Sequence, residues 1–361
     1  MSKFLLKISR KYSIPHTEED MSSHVMSEET LARPQPKTQS KINVLLRAIT
    51  HLAENISSFE FVAGEGNMLP VFSAGSHIDV HLPNGIIRQY SLCNDASEQH
   101  RYVVAVLRDA HGRGGSKAMH DALRVGAQVT ISVPRNHFAL ANGVSKHVFI
   151  AGGIGITPIM SMIAQARAQQ HDFHLYYCAR SPQRTAFLAE LAPLIASGYV
   201  TLHYDGGELS NSLDLKAALR NYDPGTHLYY CGPAGLLNAV EAASAHWPAQ
   251  ALHCERFSGP AMPAAVLSCV PEAPEMSFDI ELARAGKRFT VKPGQTIVDV
   301  LKANGIEVDV SCKRGYCGTC MTRYLSGKPH HRDSVLDEED REEFVMICCS
   351  RAKTETLVLD L

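Results

Sequence analysis

The chain has 361 residues, and its 35 lysines and arginines nearly balance its 37 aspartates and glutamates. This length predicts two or three domains, and the near-zero net charge argues against a nucleic-acid binder and against broad attraction to anionic membranes. No apolar run approaches bilayer length, and ten cysteines without a secretory signal indicate reduced thiols and metal ligands, so we expect a cytoplasmic protein with no membrane partner.

Residues 1–40 are polar and irregular, and Pro34 and Pro36 mark their end, which predicts a disordered N-terminal extension. From 41 to 142 the pattern changes to short β-rich runs separated by Gly, Pro and Asn. The predicted strands are 43–50, 57–63, 77–82, 86–92, 102–107 and 129–133. Short strands at this spacing favour a closed antiparallel β-barrel.

Two stretches of the predicted barrel carry possible ligand-binding residues. Arg88-Gln-Tyr90-Ser91 ends one strand, and the glycine-rich turn at 111–116 opens a short helix at 116–123. Backbone N–H groups at a helix N-terminus favour an anion such as phosphate, to which Arg88 can add a charged contact, while Tyr90 can lie against a flat ring. A mobile surface turn would have the same composition, so the turn alone leaves both interpretations open.

Residues 143–257 alternate between buried strands and amphipathic helices. The predicted strands are 148–151, 173–178, 199–204 and 226–230, and the predicted helices are 158–169, 185–196, 213–220 and 234–247. Alternating βα units predict a parallel, doubly wound α/β sheet, in which dinucleotides bind at the C-terminal ends of the strands.

The first βα turn of this region is rich in glycine and lies where such a ligand would bind. It runs through Gly152, Gly153 and Gly155, with Thr157 placed to cap the following helix and Pro158 at its first position. The third glycine of the Rossmann fingerprint is replaced by Pro158, so this is a related turn, and a purely structural tight turn is the alternative.

A segment rich in Pro, Ala and Ser at 258–275 predicts a linker, and residues 276–361 predict a compact α+β domain. Its expected elements are a hairpin at 278–283 and 288–291, a helix at 296–303, an acidic helix at 337–344 and a final strand at 357–361. The acidic run is either a docking face for a basic partner or an ordinary solvated helix face.

Three cysteines of the last domain, Cys312, Cys317 and Cys320, are separated by four and then two residues, and further cysteines follow at Cys348 and Cys349. This is the plant-type ferredoxin pattern for a [2Fe–2S] cluster. A zinc site more often has paired CxxC elements, and only one is present. The spacing admits either Cys348 or Cys349 as the fourth ligand, and matching the surrounding residues to the ferredoxin pattern selects Cys348.

These motifs occur in the order Arg88-x-Tyr90-Ser91, the glycine turn before Pro158, Cys231-Gly232-Pro233 and the cysteine loop. In this order they resemble the ferredoxin–NADP⁺ reductase superfamily. With a plant-type ferredoxin fused at the C-terminus, the whole order resembles the phthalate dioxygenase reductase family. The resemblance covers 41–361. It implies three domains: a flavin-binding antiparallel β-barrel, a doubly wound NAD-binding domain and a β-grasp [2Fe–2S] domain.

The resemblance also implies the site. Arg88, Gly114, Gly115 and Ser116 would hold the flavin phosphate, and Tyr90 and Ser91 would contact the isoalloxazine. The residues implied to hold the nicotinamide dinucleotide are Gly153, Gly155, Thr157, Gly232 and Pro233. Ser91, Cys231 and Phe257 would position the reacting rings, and Cys312, Cys317, Cys320 and Cys348 would bind the cluster. The implied cofactors are FMN and NADH, although Arg180 could pair with a 2′-phosphate and favour NADPH.

The implied function is that of an oxygenase reductase component. Electrons would pass from NADH through FMN and the [2Fe–2S] cluster to a separate Rieske-type terminal oxygenase, and we expect the chain to be a monomer. Two alternatives are a reductase for another acceptor, such as a di-iron hydroxylase or another electron carrier, and a non-catalytic redox sensor that uses the same cofactors.

Overall fold

The structure is a computed structural model that describes residues 41–64, 67–257 and 275–361. The predictions of a disordered extension at 1–40 and of a linker after residue 257 lie outside the described residues. The described residues all belong to one compact unit. None of their helices combines the length and the apolar character that crossing a lipid bilayer requires.

Six antiparallel strands and one helix form the first part of the chain, hereafter the barrel domain. They are β1 (Lys41–Ala53), β2 (Ile56–Val62), β3 (His77–His81), β4 (Ile87–Ser91), β5 (Tyr102–Leu107), α1 (Gly115–Ala122) and β6 (Gln128–Ser132). The strand order is β4-β3-β6-β1-β2-β5, and a bridge from Leu92 to Val104 joins its two ends. Phe59, Phe61 and Met119 are buried in its core, and the predicted barrel is confirmed.

Five parallel strands with helices on both faces form the second part, hereafter the nucleotide domain. Its elements are β7 (Lys146–Gly152), α2 (Ile156–Ala168), β8 (Asp172–Ala179), α3 (Leu188–Ala196), β9 (Val200–Tyr204), α4 (Leu215–Ala218), β10 (Thr226–Cys231), α5 (Ala234–Ala243) and β11 (Leu252–Glu255). The order is β11-β10-β7-β8-β9. Neighbouring residues Phe149 and Ile150 enter different cores, one with α2 and α3 and the other with α4 and α5, which confirms the doubly wound sheet.

The last part, hereafter the ferredoxin domain, is an α+β unit. Its elements are β12 (Phe278–Leu282), β13 (Lys287–Val291), α6 (Ile297–Ala303), β14 (Met321–Ser326), β15 (Pro329–His330), α7 (Asp340–Glu343), β16 (Phe344–Met346), β17 (Arg351–Ala352) and β18 (Thr356–Leu359). Five strands pair in the order β13-β12-β18-β14-β16. A capping box between Thr296 and Asp299 begins α6, whose apolar face packs on the sheet.

Three local predictions are wrong, and the first two concern the start of α2. Pro158 is its third residue and not its first, because the turn at 153–155 runs directly into a helix that already begins at Ile156. For the same reason Thr157 does not cap this helix, and its hydroxyl instead donates to the Ile154 carbonyl at 3.0 Å. The acidic helix spans only Asp340–Glu343 and not 337–344, and Phe344 pairs with Arg323 in the sheet. The fifth strand of the nucleotide domain, β11, was not predicted.

Candidate functional site: a cavity shared by three domains

A cavity of about 320 Å³ lies where the three domains meet, and we call it the interdomain cavity. Its wall residues come from β3, β4 and loops of the barrel domain, from the end of β11 and the two residues after it, and from the cysteine loop and residues 334–335 of the ferredoxin domain. They are His77, Arg88, Gln89, Ser91, Arg113, His137, Cys254, Glu255, Arg256, Phe257, Ser311, Cys312, Tyr316, Cys317, Ser334 and Val335. Its volume falls within the range of small-molecule sites.

Arg88 lines this cavity and packs against the start of α1. The Arg88 guanidinium donates to the carbonyl of Ile87 at 2.8 Å and to that of Arg113 at 3.3 Å. Burial lowers the pKa of Arg88, and the nearby Arg113 charge adds to this effect. A Cβ on Gly115 would lie 2.4 Å from Arg88 Cγ, and Gly114 has a φ of 86°, so both glycines are needed for this turn. A cation beside a helix N-terminus fits a phosphate group.

Two other predicted site residues, Tyr90 and Ser91, are the last two residues of β4. Tyr90 packs against the barrel core, and burial raises the pKa of its hydroxyl. Ser91 is buried and its Oγ donates to Glu255 Oε2 at 3.3 Å. Burial raises the pKa of Glu255 to about 8, although the Ser91 hydrogen bond acts in the opposite direction. Glu255 is therefore mostly protonated at neutral pH and can donate a hydrogen bond into the cavity.

The hydroxyl of Ser116, in the predicted phosphate turn, already forms a hydrogen bond within the protein. Its Oγ accepts a hydrogen bond from the backbone N–H of Asp109 at 3.1 Å, which ties the glycine turn to the end of β5. Phe257 is 41 % exposed and lines the cavity, and its carbonyl accepts a hydrogen bond from the Tyr316 hydroxyl at 3.3 Å. The structure therefore brings Arg88, Ser91, Gly115 and Phe257 to one site.

The two glycine-containing turns of the nucleotide domain lie against each other at the C-terminal ends of β7 and β10. A Cβ on Gly155 would lie 2.3 Å from the Cys231 carbonyl oxygen, and a Cβ on Gly232 would lie 3.0 Å from Gly152 Cα, so the glycines let the two turns pack together. Gly153 has a φ of 53° and faces open space. Its backbone therefore forms an exposed surface without a side chain, as a bound pyrophosphate requires.

Thr157 and Cys231 are buried beneath this surface. The Thr157 side chain faces the turn, and Cys231 is fully buried, with burial raising the pKa of its thiol. Neither residue lines the interdomain cavity, whereas the neighbouring Cys254 does. Arg180 is exposed after β8, and its carbonyl accepts from the Gly206 N–H at 3.1 Å.

The four predicted cluster cysteines are all buried in one place. The Cys317 and Cys348 thiols donate to Cys312, which lowers the pKa of Cys312, and Cys348 also contacts Cys320. In the described residues, no three His, Cys, Asp or Glu side chains are disposed to hold one metal ion. The contacts run from Cys317 to Cys312, from Cys312 to Cys348 and from Cys348 to Cys320, so the four thiols lie together, as the ligands of one [2Fe–2S] cluster must.

Cys349, the alternative fourth ligand, faces a different direction. Its Sγ contacts the Met346 carbonyl and Ser350, and of the cluster cysteines it touches Cys348. A Cβ on Gly315 would lie 2.6 Å from Cys349 Sγ, so this glycine makes room for the second thiol. The backbone N–H of Arg314 points at Cys312 Sγ from 3.3 Å, an arrangement typical of cluster loops.

The cysteine loop is held against the barrel domain by polar contacts. Gln89 Nε2 donates to the Cys317 carbonyl at 2.7 Å, and Arg113 Nη1 donates to the Cys312 carbonyl at 3.1 Å. A third contact joins the same two domains, with Lys41 Nζ 2.9 Å from Asp309 Oδ2. Two of the four cluster cysteines therefore form part of the wall that Arg88 and Ser91 share.

Glu255, Gln89 and Arg113 are site residues that sequence reasoning missed. Glu255 ends the unpredicted strand β11, and the stretch 252–255 was too short to show a strand pattern, although its position just before Phe257 was a usable signal. Gln89 lies within the 88–91 motif and Arg113 within the glycine-rich turn at 111–116. Their partners are more than 190 positions away in the sequence, and the neighbouring residues do not indicate such contacts.

Two family models match parts of this chain. Residues 280–353, which include all four cluster cysteines, match the 2Fe-2S iron-sulfur cluster binding domain. Residues 130–251 match the model described as dimethylamine monooxygenase subunit DmmA-like, N-terminal domain.

Known proteins are similar over nearly the whole described chain. The chain is 45% identical over 329 residues to the tert-butanol monooxygenase / tert-amyl alcohol desaturase reductase subunit of Aquincola tertiaricarbonis, covering 90% of this chain and 97% of that one. It is 44% identical over 325 residues to a vanillate O-demethylase oxidoreductase of a Pseudomonas strain, covering 89% and 100%. The solved structure of phthalate dioxygenase reductase, described as modular for electron transfer from pyridine nucleotides to [2Fe-2S], is 38% identical with a TM-score of 0.66, covering 89% and 98%.

Proposed function

Since this chain belongs to the phthalate dioxygenase reductase family, we propose that it is the reductase component of a two-component Rieske-type oxygenase. It is an oxidoreductase that uses NADH, FMN and a [2Fe–2S] cluster. The observation that carries the proposal is the interdomain cavity, in which residues suited to a flavin share a wall with Cys312 and Cys317. Bound FMN supplies the change from a two-electron donor to a one-electron carrier, and the bound cluster supplies the one-electron step.

We assign the flavin phosphate to Arg88 and to the turn of Gly114, Gly115 and Ser116. The guanidinium supplies charge and the start of α1 supplies backbone N–H groups, and this pairing is strong where water is partly excluded. Ser116 keeps the turn in shape through its bond to Asp109. Tyr90 offers a ring face anchored in the barrel core, which suits stacking against a flat heterocycle.

We assign the region around Ser91, Glu255 and Phe257 to the reacting ring. Ser91 donates its hydroxyl hydrogen to Glu255, and the protonated Glu255 carboxyl places a hydrogen-bond donor at the cavity wall without adding a charge. Phe257 adds an exposed apolar ring to the cavity wall, against which the flavin or the nicotinamide ring can lie. These are positioning residues, because hydride transfer between two rings depends on their distance and alignment.

We assign the dinucleotide to Gly153, Gly155, Gly232 and Pro233 at the ends of β7 and β10. The exposed backbone of Gly153 supports this, because it is open to a pyrophosphate. Thr157 stabilises the glycine turn through its hydrogen bond to the Ile154 carbonyl, and the buried Cys231 packs against Gly155 of the same turn.

We assign the cluster to Cys312, Cys317, Cys320 and Cys348. Cys348 is preferred to Cys349 because its thiol contacts both Cys312 and Cys320, whereas the Cys349 thiol faces Met346 and Ser350. Gln89 and Arg113 bind the carbonyls of Cys317 and Cys312, which fixes the distance between the cavity and the cysteine loop. That distance governs the rate of electron transfer between the two sites.

The electron acceptor is a terminal oxygenase, and we propose a Rieske-type enzyme with this chain acting as a cytoplasmic monomer. The relatives named as reductase subunits of a tert-butanol monooxygenase and of a phthalate 4,5-dioxygenase support an oxygenase partner.

An anaerobic titration with NADH, followed by visible absorbance and by electron paramagnetic resonance (EPR), tests the proposal. We expect a flavin and a red-extended iron–sulfur absorption to bleach together at low NADH, and rapid reduction of cytochrome c in air. Bleaching by NADPH alone would overturn the choice of nucleotide. A protein that bleaches but reduces no added acceptor would support the redox sensor, and a colourless protein containing zinc would overturn the whole assignment.

A further inference from the structure

An aspartate of the barrel domain reaches a side chain of the cysteine loop. Asp79 lies on β3 with its side chain 2 % exposed, and its Oδ2 is 2.7 Å from Arg135 Nη2, so the carboxylate is a buried partner in an ion pair. Its other oxygen, Oδ1, accepts a hydrogen bond from Thr319 Oγ1 at 3.2 Å. Thr319 belongs to the ferredoxin domain, which means that a charge of one domain meets the cluster loop of another.

Thr319 also contacts a cluster cysteine. Cys317 Sγ lies 3.3 Å from Thr319 Oγ1, and Cys317 is one of the four assigned cluster ligands. A cysteine bound to iron is a thiolate and can only accept a hydrogen bond. The Thr319 hydroxyl has a single hydrogen, so with a cluster in place the Asp79 carboxylate and the Cys317 sulfur compete for it.

We propose that Asp79 holds the Thr319 hydrogen away from Cys317 and thereby keeps the reduction potential of the cluster low. The carboxylate is the better acceptor, because hydrogen bonds to an ionised oxygen are stronger than those to sulfur. A hydrogen bond to a ligand sulfur stabilises the reduced cluster, which carries one more negative charge, and raises its potential. Asp79 is thus a positioning residue that acts on the cluster through Thr319.

The ion pair with Arg135 makes Asp79→Asn a defined test. Arg135 is donor-only, so it orients the asparagine oxygen towards itself and the asparagine NH₂ towards Thr319. The Thr319 oxygen then accepts a hydrogen bond, and its hydrogen becomes available to Cys317. The variant changes one oxygen to nitrogen and leaves the remaining contacts between the domains in place.

The experiment is an EPR-monitored potentiometric titration of the purified holoprotein. We expect Asp79→Asn to shift the cluster potential to more positive values. The shift should be smaller when Asp79→Asn is combined with Thr319→Val, and it should persist with Thr319→Ser, which retains the hydroxyl. An equal shift in the Thr319→Val background would show that the lost charge acts through space alone, and would overturn the role of Thr319.

Thr319→Val by itself tests the proposal even if Asp79→Asn does not fold, because the Asp79–Arg135 ion pair stays intact. Its potential should stay close to that of the wild type, since Thr319 gives nothing to the sulfur while Asp79 is present. A marked negative shift would show that Thr319 already donates to Cys317 and would overturn the proposal.

Asp309→Asn is the matched control. It breaks the partly exposed ion pair with Lys41, which joins the same two domains, and it should leave the cluster potential unchanged because solvent screens this pair. The same shift in this variant would mean that loosened docking, and not the Thr319 hydrogen, sets the potential. The inference rests on the proposed cluster ligation: a protein without a [2Fe–2S] EPR signal would refute that ligation, whereas a normal signal with an unmoved potential in Asp79→Asn refutes only the role of Asp79.

Discussion

Ser91 and Glu255 form a hydrogen bond in the wall of the interdomain cavity, with Ser91 Oγ donating to Glu255 Oε2 at 3.3 Å. One residue ends a strand of the barrel domain and the other ends a strand of the nucleotide domain. This bond therefore links the two domains at the place where we assign the reacting ring, and the carboxyl group that completes it has a raised pKa.

The first prediction concerns pH. Burial raises the pKa of Glu255 from 4.5 to about 8 in the folded chain, so between these values the folded state binds more protons than the unfolded state. The free energy of unfolding should therefore fall as pH rises from about 5 to 8, by roughly 2 to 4 kcal/mol from this group. Thermal unfolding of the flavin-free protein across this range measures the slope, and Glu255→Gln should flatten it. An unchanged slope in Glu255→Gln would contradict the raised pKa.

The second prediction concerns Gly115. In Gly115→Ala the new Cβ would lie 2.4 Å from Arg88 Cγ and 2.6 Å from Arg88 Nε, so the guanidinium has to move away from the start of α1. Loss of a charged contact to phosphate costs about 1.5 to 3 kcal/mol, and FMN affinity should fall roughly 10- to 150-fold. Fluorescence titration with FMN measures this. Gly235→Ala in α5 is the control, because its Cβ meets nothing within 4 Å; equal losses in both variants would disprove the role of the turn.

The third prediction distinguishes the adjacent cysteines. Cys348→Ser should abolish or strongly reduce the [2Fe–2S] signal, because the thiol that contacts Cys312 and Cys320 is lost. Cys349→Ser should retain it, because that thiol faces Met346 and Ser350. Iron content and EPR intensity per protein chain measure both. The opposite pattern would identify Cys349 as the fourth ligand.

The fourth prediction concerns the contact between Gln89 and the cysteine loop. Gln89→Ala removes the 2.7 Å bond to the Cys317 carbonyl, and one such bond contributes about 1 kcal/mol. The transfer of electrons from flavin to cluster should slow by about fivefold, while the reduction of flavin by NADH stays unchanged. Stopped-flow absorbance separates the two phases. Gln169→Ala, an exposed residue after α2, serves as the control, and a slowed first phase in Gln89→Ala would point to a different role.

The parts of the site that are local in sequence could be predicted. The spacing of Cys312, Cys317 and Cys320 encodes a loop geometry by itself, and short β-rich runs between turn residues identify the barrel strands without any distant contact. Thr157 was misplaced by a small shift of a helix boundary, because the glycine turn continues into α2 as helical structure.

The contacts between domains could not be predicted in this way. In the sequence, Asp79 is one polar residue in a β-strand. Its proposed role depends on a hydrogen bond with Thr319, which lies 240 positions away. Glu255 ends a strand that pairs in parallel with β10 along only four residues. In both cases the partner is chosen by how folded domains pack, and no pattern within a short window carries that information.

Polar contacts join the ferredoxin domain to the barrel domain, among them Gln89 with Cys317, Arg113 with Cys312 and Lys41 with Asp309. Between separate proteins, three such bonds would give only a short-lived complex. Because both domains belong to one polypeptide, each meets the other at an effective concentration of about millimolar order, and a weak contact is then sufficient. Covalent continuity thus helps the part of the cavity wall that contains Cys312 and Cys317 to form reliably.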